Sequence, residues 1–211
     1  LWCGDFKGWF RTGDRSRCDP LTITDAFGRY LLRCQAVVRP DYEHSRPVFE
    51  SAFREYGLPR AIRTDNGVPF ANTGLHGLTQ LNVWWLRLGI QHQRIRPASP
   101  QENGAHERMH RTLKAETTRP PEPDLRRQQR AFTRFQSLYN TERPHAALAG
   151  DTPATRYRAS PRPYPERLPA LEYPGHFAVK RVTSAGTIRF KTRASNTAGA
   201  TESAVKSITL T

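Results

Sequence analysis

The stretch Ser99-Pro100-Gln101-Glu102-Asn103-Gly104-Ala105-His106-Glu107-Arg108-Met109-His110-Arg111-Thr112-Leu113-Lys114 reads as a turn that opens into a helix. Pro100, Asn103 and Gly104 punctuate the start, and Asn103 can cap a helix N-terminus. Neither Gly nor Pro recurs from Ala105 to Arg119. Met109 and Leu113 share an apolar face, while Glu107, Arg111 and Lys114 fall on another. One carboxylate followed by two cations along a helix has two readings. It is a solvated face with ion pairs one turn apart, or a metal-binding carboxylate whose neighbours grip phosphates. The rest of the chain has to choose between them.

The 211 residues are enough for one sizeable core and a small second module. A formal charge of +14 favours a polyanionic partner, most simply nucleic acid, with an anionic membrane surface as the competitor. No apolar run approaches the roughly eighteen residues of a membrane span, and no signal-peptide pattern opens the chain. Cys3, Cys18 and Cys34 are an odd set without C-x-x-C spacing. They argue against a zinc site or a disulfide framework and for a reducing, cytoplasmic compartment.

Taken in order, residues 1–10 read as a strand and residues 11–19 as a hairpin loop. Leu21–Thr24 and Tyr30–Val38 read as two more strands, joined by a turn at Asp25-Ala26-Phe27-Gly28. Val48, Phe49, Ala52, Phe53 and Tyr56 then recur at helical spacing until Gly57. Arg60–Thr64 is a strand closed by Asp65-Asn66-Gly67, and Leu78, Leu81, Trp84, Trp85 and Leu88 mark a second helix. Ile90–Ile95 is a short strand before the helix quoted above, and Leu125, Phe132, Phe135 and Leu138 mark a fourth helix over about 124–141. Three strands followed by alternating helices and strands make an α/β fold, a mixed five-stranded sheet flanked by helices. The expected boundaries are a core with a helical extension over 1–158, a Pro-rich linker over 159–175, a small β hairpin module over 176–192 centred on Ala185-Gly186, and a poorly ordered tail over 193–211.

An acid inside an apolar strand is costly unless something neutralises it. Asp5 stands in such a run, and Asp65 ends the strand that follows the first helix. Ligand sites in sheets of this kind lie beyond strand ends. Two aspartates on neighbouring strands facing a helix glutamate would offer oxygen ligands suited to Mg²⁺ or Mn²⁺. Each residue also has a plain reading. Asp65-Asn66-Gly67 is an ordinary turn sequence. Asp5 could pair with Lys7 or Arg11, and Asp25 reads as a turn residue.

These residues match a known family. Asp5 in LWCGDFKG, Asp65 in RTDNG and Glu107 in SPQENGAHERMHRTLKAE resemble the three acids of the retroviral-integrase-type DDE catalytic core, most closely as found in transposases of bacterial insertion sequences. YNTERPHAAL and TPATRY are similar to segments C-terminal to that core in those transposases. The resemblance covers about residues 1–158 and extends loosely to 177–191. It implies a ribonuclease H-like fold and two divalent ions, Mg²⁺ or Mn²⁺, held by Asp5, Asp65 and Glu107. It also implies strand cleavage at transposon ends and transfer of the free 3′-hydroxyl into target DNA by a homo-oligomer assembled on DNA. Lys114 matches a DNA-contacting lysine of the family. Arg108, Arg111, Lys114, Arg126, Arg127 and Arg130 make a basic run over two successive helices, a DNA-binding surface of a nucleoid-associated protein.

Two departures accompany the resemblance. Residues 66–106, 41 in number, separate the second and third acids, more than is common in the family; the excess falls at Thr73–Leu78. Relatives also carry an N-terminal helix-turn-helix region, so the expectation is a fragment or a degenerate element, with a decayed tail after Arg193. Glu102 competes with Glu107 for third acid, but it precedes Asn103-Gly104 in a turn, whereas Glu107 lies on a helix anchored by Met109 and Leu113. Two other functions stay open at this level: a nuclease that hydrolyses without joining, and a remnant that only binds DNA through its charge.

Overall fold

Along Trp2–Phe6 (β1) side chains alternate between two faces of a sheet. Trp2 enters one core, and Gly4 passes so close to a helix that an added Cβ would meet the Phe49 ring at 3.0 Å. Cys3 and Asp5 therefore belong to the opposite face. In the computed structural model, which describes residues 1–72, 77–95, 104–168, 170, 175, 187–191 and 205–209, β1 pairs antiparallel with Arg17–Asp25 (β3) and parallel with Ala61–Thr64 (β5). Leu31–Val37 (β4) flanks β3 antiparallel, and Gln91–Arg94 (β6) runs parallel to β5. The five principal strands lie in the order β4-β3-β1-β5-β6, and the two-residue strand Phe10–Arg11 (β2) adds a sixth beside the start of β3.

Helices cover both faces, and their ends follow their sequences. Tyr42–Tyr56 (α1) is capped by Asp41, whose carboxylate accepts the His44 N–H at 2.9 Å. It stops at Gly57, which adopts φ 75° under the carbonyls of Ser160 and Arg162, where a Cβ has no room. Gln80–Arg87 (α2) begins with a reciprocal capping box between Thr79 and Asn82. These two helices bury Val48, Phe49, Phe53, Leu81, Trp84 and Trp85 against Trp2, Leu21, Ile23 and Leu32. Gly104–Thr117 (α3) and Leu125–Thr141 (α4) bury Met109, Leu113, Phe132, Phe135 and Tyr139 against Cys18, Leu31 and Cys34. Adjacent Leu31 and Leu32 feed different cores, as a strand between two helix layers requires.

β4 is an edge strand, and α4 occupies its polar groups. The Asn140 side chain accepts from Leu31 N at 2.8 Å and donates to Leu31 O at 3.0 Å. Gln129 accepts from Ala36 N at 2.7 Å and donates to Cys34 O at 3.0 Å, and Gln136 donates to Leu32 O at 3.0 Å. Positions 129, 136 and 140 lie on one stripe of the helix. An edge treated this way is closed to pairing with another chain.

Several elements differ from expectation. β3 begins at Arg17, inside the stretch read as a hairpin loop. Its polar letters conceal a strand because buried Asp19 is neutralised by Arg17, Nε to Oδ2 2.6 Å. Two short turns follow α4, a 3-10 turn at Ala146–Leu148 and Pro153–Arg156 (α5). The Pro-rich stretch does not leave the core at residue 158. Ser160 N donates to Tyr56 O at 2.8 Å, Leu58 N donates to Arg162 O at 2.7 Å, and the Tyr164 ring stacks on Phe53. The first compact unit accordingly comprises 1–73 and 77–169, and the second comprises 74–76 and 170–211. In the second unit Thr187–Lys191 (β7) pairs antiparallel with Val205–Thr209 (β8), within the stretch for which poor order was expected. Residues 177–182, read as the other hairpin arm, and most of the Thr73–Leu78 insertion lie outside the described residues. No helix among the described residues is long and apolar enough to cross a membrane.

Candidate active site

The parallel pairing of β1 and β5 sets Gly4 beside Thr64, so Asp5 and Asp65 follow at the same ends of adjacent strands. Both are half-buried. Asp65 begins a turn in which its Oδ1 accepts Gly67 N–H at 3.2 Å. Asp5 lies opposite Thr22 of β3. Glu107 stands in the first turn of α3, solvent-exposed, while Met109 and Leu113 anchor the helix beneath it. It opens onto a cleft of about 440 Å³ shared with Lys7, His110, Arg111, Lys114 and Arg119. One acid among four cations makes this cleft electropositive, which suits a phosphate chain.

Between α3 and the sheet runs a polar seam that the sequence reading missed. His106 and His110 are 3% and 6% exposed. His106 Nε2 and His110 Nε2 each lie 2.7 Å from Thr22 Oγ1, and His106 Nδ1 lies 3.1 Å from Thr24 Oγ1. The two rings meet edge to face, centroids 4.6 Å apart at 85°. His110 Nδ1 lies 3.9 Å from Asp5 Oδ2. Burial pushes His106 down to about 3; burial, then the neighbouring His106 and Lys7, pushes His110 down to about 2. Both rings are neutral at pH 7. A signal for them was present: His106, His110, Leu113 and Thr117 recur at spacings of four, three and four, and all four are buried. The sequence reading takes only Met109 and Leu113 as inward-facing.

The structure brings Asp5 and Asp65 to neighbouring strand ends and gives Glu107 and His110 one cleft. It does not bring the three carboxylates into a single close group. Among the described residues, the group whose ligand atoms lie within 4.8 Å of one another is Asp5, His106 and His110. As donors, the carboxylates of Asp5, Asp65 and Glu107 suit a hard, oxygen-seeking ion such as Mg²⁺ or Mn²⁺, and nearby imidazole favours Mn²⁺ of the two. Glu102, the competing third acid, lies outside the described residues.

The basic residues divide between two clefts. Arg111 and Lys114 line the one with Glu107. Arg108 lines another, of about 480 Å³, with Arg29, Tyr139, Arg143 and His145. Arg126, Arg127 and Arg130 are exposed on α4, where Arg127 pairs with the capping Asp124 at 3.7 Å.

Comparison with known proteins bears on the fold. The family profile described as Integrase core domain matches residues 1–100, and a second profile with the same description matches residues 88–153. A chain of the simian T-cell lymphotropic virus intasome, solved in complex with PP2A regulatory subunit B56 gamma, superposes with a TM-score of 0.61 at 17% identity, covering 99% of this chain and 75% of its own. The HTLV-2 integrase catalytic core domain in complex with magnesium (trimeric form) gives 0.54 at 18% identity over 73% of this chain and 93% of its own. The BIV integrase catalytic core domain gives 0.55 at 18% identity over 74% and 92%. The mixed sheet with helices on both faces is the ribonuclease H-like arrangement of these cores.

Proposed function

Residues 1–153 form a core domain of the integrase type, and on that premise we propose that this chain is the catalytic core of a DDE transposase that cuts DNA and joins the free 3′-hydroxyl to a target. The observation that carries this reading is the β1–β5 register, with Asp5 and Asp65 at adjacent strand ends. In this reading Asp5, Asp65 and Glu107 hold two divalent ions, Mg²⁺ or Mn²⁺. Such ions supply activation of an attacking water or hydroxyl and stabilise the leaving oxygen of a phosphodiester. The chain's own contribution is to hold the acids on rigid elements and to seat the DNA. Arg111 and Lys114, one and two turns beyond Glu107 on the same cleft, align the phosphates, with Lys7 and Arg119 beside them. Arg108, Arg126, Arg127 and Arg130 extend the basic surface. The charge of +14 supports DNA as the partner and a nucleoid location; an assembly of several copies on transposon ends and target follows the intasome and the trimeric and dimeric forms of the integrases it resembles. An insertion-sequence origin rests on the YNTERPHAAL and TPATRY segments.

Incubation of the chain with supercoiled plasmid in Mg²⁺ or Mn²⁺ tests this. The expected products are nicked circles and joined species, absent in EDTA. Asp65→Asn and Glu107→Gln should each lower nicking about a thousandfold or more, about 4 kcal/mol in the barrier, with folding nearly unchanged. Glu102→Gln should keep most activity. Nicking that survives EDTA or Asp65→Asn would reject the reading, and nicking without joined product would make the chain a hydrolytic nuclease. Activity lost in Glu102→Gln and kept in Glu107→Gln would move the third acid to the turn.

A further inference from the structure

Thr22 Oγ1 is the hub of the seam, 3.1 Å from Asp5 O and 2.7 Å from the Nε2 atoms of both His106 and His110. A hydroxyl has one proton to give, and a peptide carbonyl can only accept. With the Thr22 proton given to Asp5 O, both Nε2 atoms carry hydrogens that they donate to the hydroxyl oxygen. A neutral imidazole protonated at Nε2 leaves Nδ1 as an acceptor. His106 Nδ1 receives the Thr24 hydroxyl at 3.1 Å. His110 Nδ1 faces Asp5 Oδ2 at 3.9 Å and lines the cleft with Glu107. Two acceptors are aimed at each other there, and 3.9 Å is too long for a hydrogen bond. It is the right length for two ligands of one ion, since donors each about 2.1 Å from a common metal lie roughly 3–4.2 Å apart.

We infer that His110 is a metal ligand: its Nδ1 and the Asp5 carboxylate bind the same divalent cation directly. This rests on the reading of Asp5 as a metal-holding acid and adds a nitrogen donor to a set otherwise made of carboxylates. The surroundings are those of a ligating histidine. Its far N–H is taken by an oxygen, Thr22 Oγ1, which settles the tautomer and the ring orientation. His106, with both nitrogens engaged by Thr22 and Thr24, props the His110 ring edge to face and binds no metal itself. A nitrogen ligand shifts preference towards Mn²⁺ and away from Mg²⁺, relative to carboxylates alone.

Pulsed electron paramagnetic resonance of the full chain loaded with Mn²⁺ tests this without any activity assay. Modulation from a directly bound imidazole nitrogen is expected in the parent chain and in His106→Gln. It should vanish in His110→Ala, with Mn²⁺ affinity lowered about tenfold or more. Bound Mn²⁺ without nitrogen modulation, or modulation that survives in His110→Ala, overturns the role of His110 and leaves the acid site standing. A parent chain that binds no Mn²⁺, or an Asp5→Asn variant that binds it unchanged, overturns both. If His110→Ala fails to fold, isotope-labelled histidine NMR of the parent chain with Zn²⁺ decides. One Nδ1 signal among the seven histidines should shift, and seven unshifted signals overturn the proposal.

Discussion

Two helices lie on the same face of the sheet, and both send polar side chains into it with opposite results. α4 meets edge strand β4 with three amides, and two of them both donate and accept against the backbone. Their partners on the strand are neutral peptide groups, and Phe132 and Phe135 seal the seam. α3 meets β1 and β3 with two histidines, two threonine hydroxyls and a carboxylate. There the proton count leaves one ring nitrogen turned to an anion. Asn140, Gln129 and His106 each spend both a nitrogen and a second polar atom on the fold, whereas His110 keeps its second nitrogen for a further partner. The first seam fastens the fold; the second leaves ligand capacity at the cleft.

The contrast can be broken or sharpened by measurement, beginning with the largest effect. Phe132→Ala empties a fully buried position in the α4 seam and should cost about 3–5 kcal/mol in denaturant unfolding. A loss under about 1 kcal/mol would mean that the seam is not a core. Acid should act on the other seam. His106 and His110 have folded pKa values near 3 and 2, below the usual 6.5, so the unfolded chain takes up protons first as pH falls. Their stabilisation is whole above pH 6.5 and declines below it, by about 1 kcal/mol each between pH 6.5 and 5.5. Unfolding in EDTA across that range measures the decline; His92, pushed down to about 4 by burial and then Arg94, adds to it, and His92→Gln removes that share. A flat profile in His92→Gln would contradict the burial of the histidine pair.

Asn140→Ala strands the Leu31 N–H and C=O and should cost about 1–3 kcal/mol, with the acid profile unchanged. A changed profile would show the two seams to be coupled. The smallest effect belongs to the solvent side of α3. Lys114→Ala should weaken binding to duplex DNA of any sequence alike and reduce the slope of log affinity against log salt by about one. An unchanged slope would remove Lys114 from the phosphate path.

The legible part of the site was the part written in local pattern. Glu107 was read onto the outer face of α3 because Met109 and Leu113 define the inner one, and it is exposed there. Asp65 was read at a strand end because Asn66-Gly67 closes the strand. The histidines are not legible locally, because a polar letter in a buried stripe looks like an interruption until its partners are known. Those partners, Thr22 and Thr24, are more than eighty residues away. The start of β3 is hidden for the same reason, since Arg17 and Asp19 look like a loop until they neutralise each other.

The sequence alone determined the order of the principal strands and helices of the core, the helix stop at Gly57, the basic surface and the position of each acid within its element. These follow from backbone sterics and side-chain periodicity over a few residues, which any stretch of chain carries with it. Only the tertiary structure decided the β1–β5 register that sets Asp5 beside Asp65. It also decided the capture of β4 by α4, the folding back of residues 159–168 onto the core, and the meeting of His110 with Asp5. Those depend on two cores packing against opposite faces of one sheet, where complementary volume and hydrogen-bond count select among partners that local sequence leaves equal.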